Sequence, residues 1–355
     1  MPDTRLSVAF DMTFPNRNRA GSGTYARSLV AALAARDDID TVSVSAPAGV
    51  SFAGTLSWLW RGAAARLKTN PTSLLHCPTF VTPWNLPVPF VTTVLDLSTR
   101  RFPQDYPLEW RVYERWLVPG RARSAALVIA ISEVTRQDVI AEYGVHPDRV
   151  LTIHPGVDKI FFEAEPAPSA SGAPHLLFPG APIARKNLEL VLRCLAGAPA
   201  GFATATAHLD ISGATDDAFP ALVALIASLG LAERVHWLGQ VSRESMPRLM
   251  AGASAVVYPS LYEGFGLPPL EAMAAGSPVV ASNASCLPEV LGDAALLVDP
   301  SDGPAFARAV EEVLTDPRLR ASLVAAGRAR ARQFTWERCA ERTVEAYRLA
   351  LKVAA

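Results

Sequence analysis

Short runs of β-branched and aliphatic residues alternate with helix-period segments along the whole chain, and no other feature narrows the possible folds as far. LSVAFD, TVSVSA, LLHCP, FVTTVLD, ALVIAIS and RVLTIHPG read as buried strands in the first half. HLLFPG, HLDISG, VHWLG, AVVYPS, PVVAS and ALLVDP repeat the pattern in the second. Strands separated by helices pair in parallel and are covered by helices on both faces. Six strands per half predict an α/β protein with two doubly wound, Rossmann-like domains facing a cleft. In such sheets ligands bind beyond the carboxyl ends of the strands, so the loops that follow strands are where chemistry is expected.

The stretch EAEPAPSASGAPH, residues 163–175, has no apolar period and marks the boundary, giving domains over 1–165 and 175–333. In residues 334–355, Thr335 is set to cap a helix whose stripe of Ala340, Val344, Tyr347 and Leu351 needs a surface to cover.

Charge excludes one class of partner. Lysine plus arginine number 33 against 34 acidic residues, a net charge of -1, so the chain has no general basic field for nucleic acid. Cys77, Cys194, Cys286 and Cys339 lie far apart, which fits neither a zinc knuckle nor a disulfide framework and suits a reducing compartment. MPDTRLSVAFDM lacks a signal-peptide profile, and no apolar run approaches the ~18 to 20 residues of a spanning helix; the expected location is cytoplasmic. The only D-x-D, Asp38-Ile39-Asp40, falls between a helix and a strand on the side away from the strand-end loops and reads as a solvated turn, so no metal site is expected.

One segment points to a surface. FAGTLSWLWRGAAARLK, within 52–68, puts Leu56, Leu59, Trp60, Ala63 and Leu67 on one helical face beside Arg61, Arg66 and Lys68. Such a helix lies either on an anionic membrane, as a peripheral contact, or against the core with its arginines solvated.

Three strand-end loops carry the candidate chemistry. In the first, Gly21, Gly23 and Ala26 fit G-x-G-x-x-A, but the glycines stand well beyond the strand end at Asp11, and no acidic residue ends the next strand. They read either as a glycine loop whose amides approach a ligand or as a turn that caps a helix. In the second, PGAPIARKNLELVL, Asn187 is placed to cap a helix with Arg185 and Lys186 beside its positive end. A cation there is disfavoured unless an anion binds, which makes the loop a phosphate site or a solvated basic pair. Lys186 is one of only four lysines in the chain, with Lys68, Lys159 and Lys352.

The third loop, PSLYEGFGLPPLEAMAAGSPVV, opens a helix with Pro268 at its first position, Glu271 in its first turn and Gly276 just past its end. The amides of Gly264, Phe265, Gly266 and Leu267 lie in the approach to that helix, bracketed by Glu263 and Glu271. Amides that donate to oxygen and carboxylates that accept from hydroxyl groups suit a polyhydroxyl ligand.

The pattern Glu263-x7-Glu271 within YEGFGLPPLEAMAAGSPVVAS resembles the signature of retaining family 4 glycosyltransferases, which have the GT-B fold. GSGTYARSL resembles the family's glycine loop, PGAPIARKNL its phosphate loop, WLGQVSRESMPRLMAGA its base-binding segment and FTWERCAERTVEAYR the terminal helix that crosses back to the N-terminal domain. The resemblance implies an acceptor-binding first domain and a second domain that binds a nucleotide diphosphate sugar. Glu271 would accept from the ribose, Glu263 would contact the hexose, the amides of Gly264 to Leu267 would hold sugar and diphosphate, and the backbone near Val241 would read the base. Arg185 and Lys186 would neutralise the leaving phosphate.

Transfer would retain the anomeric configuration and need no metal or other cofactor. The first guess is mannose from GDP-mannose, passed to a glycan or lipid-linked acceptor. Two positions depart from the family. Leu95 stands where many relatives carry histidine, which leaves Asp96 as the polar candidate at that strand end, and Ala181 replaces an arginine of some relatives. His76, also at a strand end, reads as a cleft residue or a packed one. Two other functions remain open at this point: a dinucleotide-dependent oxidoreductase using Gly21 and Gly23, and a non-catalytic sugar-nucleotide or glycan-binding protein.

Overall fold

The structure, a computed structural model, describes residues 5–18, 21–47, 49, 52–165 and 172–354. It divides into two compact units, residues 1–156 with 334–355, and residues 157–333.

The first unit holds β1 (Leu6–Asp11), β2 (Ile39–Val44), β3 (Leu74–Cys77), β4 (Phe90–Val94), β5 (Leu127–Ala130) and β6 (Val150–Thr152), in the order β2-β1-β3-β4-β5-β6. Every pairing is parallel, from Leu6 opposite Ile39 to Ala130 opposite Thr152. Burial on both faces explains why these strands read as continuous apolar runs: every residue of β3, β4 and β5 is buried. The second unit holds β7 (His175–Pro179), β8 (His208–Ser212), β9 (Val235–Gly239), β10 (Ala255–Tyr258), β11 (Val279–Ser282) and β12 (Leu296–Val298), in the order β12-β11-β10-β7-β8-β9, again all parallel. The twelve strands among the described residues overlap the runs expected from the sequence, with β2 lying two residues earlier than TVSVSA.

The chain passes between the units at Gly156 and Val157, ahead of the boundary expected at 163–175; residues 166–171 of that stretch lie outside the described residues. The reason is Phe161. In the short helix Lys159–Phe162 its ring is fully buried, and the helix packs on the helices Met246–Gly252 and Leu267–Ala275 of the second unit.

The last helix, Trp336–Ala354, belongs to the first unit and packs on the helix Gly21–Ala34. Thr335 Oγ1 accepts from Arg338 N at 3.1 Å, the expected cap. Ala340, Val344 and Tyr347 are buried, and the Tyr347 hydroxyl meets His76 Nδ1 at 2.6 Å. His76 Nε2 lies 2.9 Å from Thr93 Oγ1, and burial pushes this imidazole down to about 3, so His76 is a neutral packed residue and the cleft reading falls.

The membrane reading of 52–68 is also corrected. Trp58, Leu59, Ala63 and Leu67 are part of the first unit's core, with Trp58 Nε1 donating to the buried Asp11 at 3.3 Å. Among the segment's large apolar residues whose side chains are described, Leu56 and Trp60 are exposed. Leu59, Ala63 and Leu67 of the expected stripe thus face the first unit's core.

Gly156 packs against the start of the last helix, where a Cβ would meet the backbone nitrogen of Trp336 at 2.2 Å. Backbone cannot yield as a side chain does, so Gly156→Ala is expected to destabilise the first unit by about 1 to 3 kcal/mol. Urea unfolding followed by tryptophan fluorescence checks this, and an unchanged midpoint would contradict the packing.

Candidate active site

In the second sheet β7 lies between β10 and β8, so the chain runs to one side for the first three strands and to the other for the last three. This reversal opens a crevice at the carboxyl ends of β7 and β10. The loops after these two strands are PGAPIARK and PSLYEGFG, and they bring the strongest sequence candidates together.

Lys186 Nζ lies 2.7 Å from Glu263 Oε1, and Arg185 Nη1 reaches the same oxygen at 3.1 Å. All three side chains are largely buried. Lys186 also donates to the hydroxyl of Tyr258, the last residue of β10, and Arg185 Nη1 donates to Tyr262 O at 3.0 Å. Burial raises the cost of a charge at Glu263, but Lys186 and Arg185 outweigh it and hold the carboxyl down at about 2. Two cations against one carboxylate leave a net positive site where the sequence places a phosphate loop.

Asn187 does not cap the following helix, Leu188–Ala196. It takes a left-handed conformation (φ 56°), and its Nδ2 donates to Pro259 O and Pro300 O, both at 3.3 Å. The side chain thus ties the β7 loop to two others.

Gly266, at φ 87°, precedes the helix Leu267–Ala275, and a Cβ there would come within 2.7 Å of Leu287. Only glycine fits this turn. The helix begins one residue earlier than expected, which puts Pro268 second and Glu271 in the second turn. Pro268 and Pro269 carry no amide hydrogen, so donors at this end come from Gly264 to Leu267. Glu271 is buried, and Arg243 Nη1 lies 2.8 Å from its Oε1. Burial lifts the Glu271 carboxyl to about 7, with Arg243 pulling it down and Asp158 pushing it up. Val241 lies two residues before Arg243, in the loop that follows β9.

In the first unit, Gly21 and Gly23 stand in the first turn of the helix Gly21–Ala34, ten residues beyond the end of β1, not in a strand-to-helix turn. A Cβ on Gly23 would fall 1.7 Å from Asn18 O, so this glycine permits close packing, whereas Gly21 faces open space. The dinucleotide reading loses its geometric basis. Asp96 Oδ1 accepts from Ser98 N at 2.8 Å and from the Ser98 hydroxyl, a loop cap after β4. Asp38 pairs with Arg36 and Arg348, and Asp40 with Arg5. Three contributors escaped the sequence reading. Tyr258 is hidden in an apolar strand, Arg243 is one of many arginines, and Asp158 precedes a four-residue helix; no local pattern marks any of them.

Two parallel six-stranded sheets with a positive, carboxylate-bearing crevice at the second switch point define a two-domain α/β enzyme of the GT-B type. The same architecture occurs in sucrose-phosphate synthase from Thermosynechococcus elongatus (TM-score 0.80, 22% identity, 99% of this chain and 100% of that one). It occurs also in Anabaena HepE in complex with UDP and glucose (TM-score 0.75, 19% identity, 97% and 99%). Residues 161–330 match the family described as Glycosyl transferases group 1, and residues 19–159 match Glycosyltransferase Family 4. The chain is also 33% identical over 301 residues to O-antigen chain mannosyltransferase B of Escherichia coli, covering 81% of this chain and 77% of that protein. It belongs to the family 4 glycosyltransferases.

The buried triad has a pH signature. A carboxyl depressed to about 2 contributes stability that is complete above its ordinary value near 4.5 and is lost as pH falls from there through 2. Glu263→Gln, which strands two cations, is expected to cost about 3 to 5 kcal/mol near neutrality. The difference from wild type in urea unfolding should narrow below pH 4.5, and a pH-independent difference would contradict the ion triad.

Proposed function

We propose that this glycosyltransferase moves a hexose, with retention of configuration and without a metal or other cofactor, from a nucleotide diphosphate sugar to a glycan or lipid-linked acceptor in polysaccharide biosynthesis. GDP-mannose is the first donor to test. The observation that carries the reading is the meeting of Arg185, Lys186 and Glu263 at the switch point, with Glu271 in the helix that follows the same loop. The likeness to a mannosyltransferase favours mannose, and a relative of the same fold carrying UDP and glucose supports a nucleotide-linked donor.

As the glycosidic C–O bond breaks, negative charge grows on the diphosphate. Lys186 and Arg185, already desolvated and held in place, stabilise that charge with little reorganisation. Amides from Gly264 to Leu267 donate to sugar and phosphate oxygens, Glu271 accepts from the ribose hydroxyls, and Glu263 orients the two cations and meets the hexose. The backbone at Val241 faces the base. Leu95 can neither donate nor accept, and Asp96 is engaged with Ser98, so the assignment of Asp96 rests on its position after β4 alone.

For peripheral membrane contact we read a different helix from the one expected within 52–68. In Leu108–Trp116, Trp110 packs on Phe14 and Phe80, and buried Glu114 accepts from Arg100 and Tyr143. The outer face carries Leu108, Val112 and Trp116 at four-residue spacing, 66%, 50% and 72% exposed, with exposed Arg111 and Arg115 along one edge and exposed Glu109 along the other. An apolar stripe with a basic edge fits an anionic lipid surface that presents a lipid-linked acceptor. No helix among the described residues is long and apolar enough to cross a membrane.

Lys186→Ala is expected to abolish transfer and to cancel the rise in melting temperature that the true donor gives the wild type in a screen of GDP-, UDP-, ADP- and dTDP-sugars. Wild-type turnover in that variant would remove the site. Slow donor hydrolysis without acceptor would exclude a non-catalytic binding protein. Replacing Leu108, Val112 and Trp116 together by serine should weaken sedimentation with phosphatidylglycerol vesicles at least tenfold, and equal sedimentation would overturn the lipid reading.

A further inference from the structure

Arg243 joins two groups that sequence alone leaves unrelated. Its Nε and Nη2 donate to Asp158 Oδ2 at 3.0 and 2.6 Å, while its Nη1 reaches Glu271 Oε1 at 2.8 Å. The guanidinium lies 4.9 Å from the centroid of the fully buried Phe161 ring, so it is held from a third side as well. Asp158 directly precedes the helix Lys159–Phe162, yet its side chain caps nothing in that helix and is given to Arg243 instead.

We propose that Arg243 is a positioning residue for the donor: anchored on Asp158 and Phe161, it holds the Glu271 carboxylate in the orientation and charge state that accept the hydroxyl groups of a nucleotide ribose. This rests on the reading of Glu271 as the ribose acceptor. The physical need is plain. A carboxyl this deeply buried moves toward its neutral form, and a protonated carboxyl has lost acceptor capacity exactly where two hydroxyl donors would arrive. The charged groups acting on Glu271 are Arg243, from the loop after β9, and Asp158, from the segment entering the second unit. Arg243 opposes burial; Asp158 works with burial but fixes the guanidinium. The loop that carries Arg243 also carries Val241, so base reading and ribose reading are joined through one short segment of backbone.

Arginine suits this role better than lysine. Its planar fork addresses two carboxylates in fixed directions, whereas an ammonium would serve as a point charge to one or the other. Loss of Arg243 should therefore weaken nucleotide binding and move its pH dependence, not merely loosen the fold.

The test titrates GDP, UDP, ADP and dTDP into the 355-residue chain by calorimetry from pH 5.5 to 9, with wild type, Arg243→Gln, Arg243→Lys and Glu271→Gln. Wild type should bind one of the four nucleotides with an acid limb near pH 7 that Glu271→Gln lacks; the nucleotide's own titration is common to all four proteins. Arg243→Gln should raise Kd about tenfold at pH 7 and move the limb up by about one pH unit, since a neighbouring opposite charge shifts a carboxyl by that order. Arg243→Lys should restore most of the limb's position while recovering less of the affinity. If Arg243→Gln lowers the melting temperature but leaves the limb in place, Arg243 is a structural staple and the inference fails with the site reading intact. If Glu271→Gln keeps the wild-type limb, or none of the four nucleotides binds wild type, the ribose reading fails and this inference with it.

Discussion

Glu263 stays ionised in a buried position chiefly because Lys186 and Arg185 share its oxygen, and much of the second unit's crevice follows from that balance. The two cations come from the loop after β7 and the carboxylate from the loop after β10, so the ion triad stitches together the two loops that flank the switch point. Backbone contacts reinforce it, with Leu261 N donating to Arg185 O at 2.8 Å. Buried ion groups of this kind contribute little net stability compared with an apolar filling, because desolvation offsets their attraction. What the triad leaves behind is electrostatic: a net positive site, largely stripped of water, at the switch point of the second sheet.

The second carboxylate shows the opposite balance. Glu271 has one cation at its side, not two, and burial prevails, leaving it near neutrality in its titration. Two glutamates eight positions apart in one signature thus differ in charge behaviour because of what reaches them from elsewhere in the fold. One is clamped as an anion, and the other remains responsive to a ligand or to pH. Such divergence is a recurring way for one site to divide its tasks between like groups.

The first unit has its own constraint, in the contact between the start of the last helix and Gly156. The chain leaves this unit at Gly156 and re-enters it at Phe334, and the absence of a Cβ at Gly156 lets those two crossings lie side by side. Tyr347 then reaches His76 through a side-chain hydrogen bond spanning 271 residues of sequence. A histidine at a strand end, which in sequence has the look of a reactive group, is by this contact a neutral part of the core.

All twelve strands, the Thr335 cap, the glycine turn before Leu267 and the loops that hold the site were legible in the sequence, because each depends on local propensity, apolar period or backbone conformation. What the tertiary structure alone decided is which group meets which. It sent Leu59, Ala63 and Leu67 of residues 52–68 to the core, moved the point of entry into the second unit to Val157, gave the Asn187 side chain to other loops and brought Arg243 to Asp158 across 85 positions. The physical reason is that the charge state of a buried group and the exposure of an amphipathic face are set by neighbours packed in three dimensions, whereas strands and turns are set by residues close along the chain.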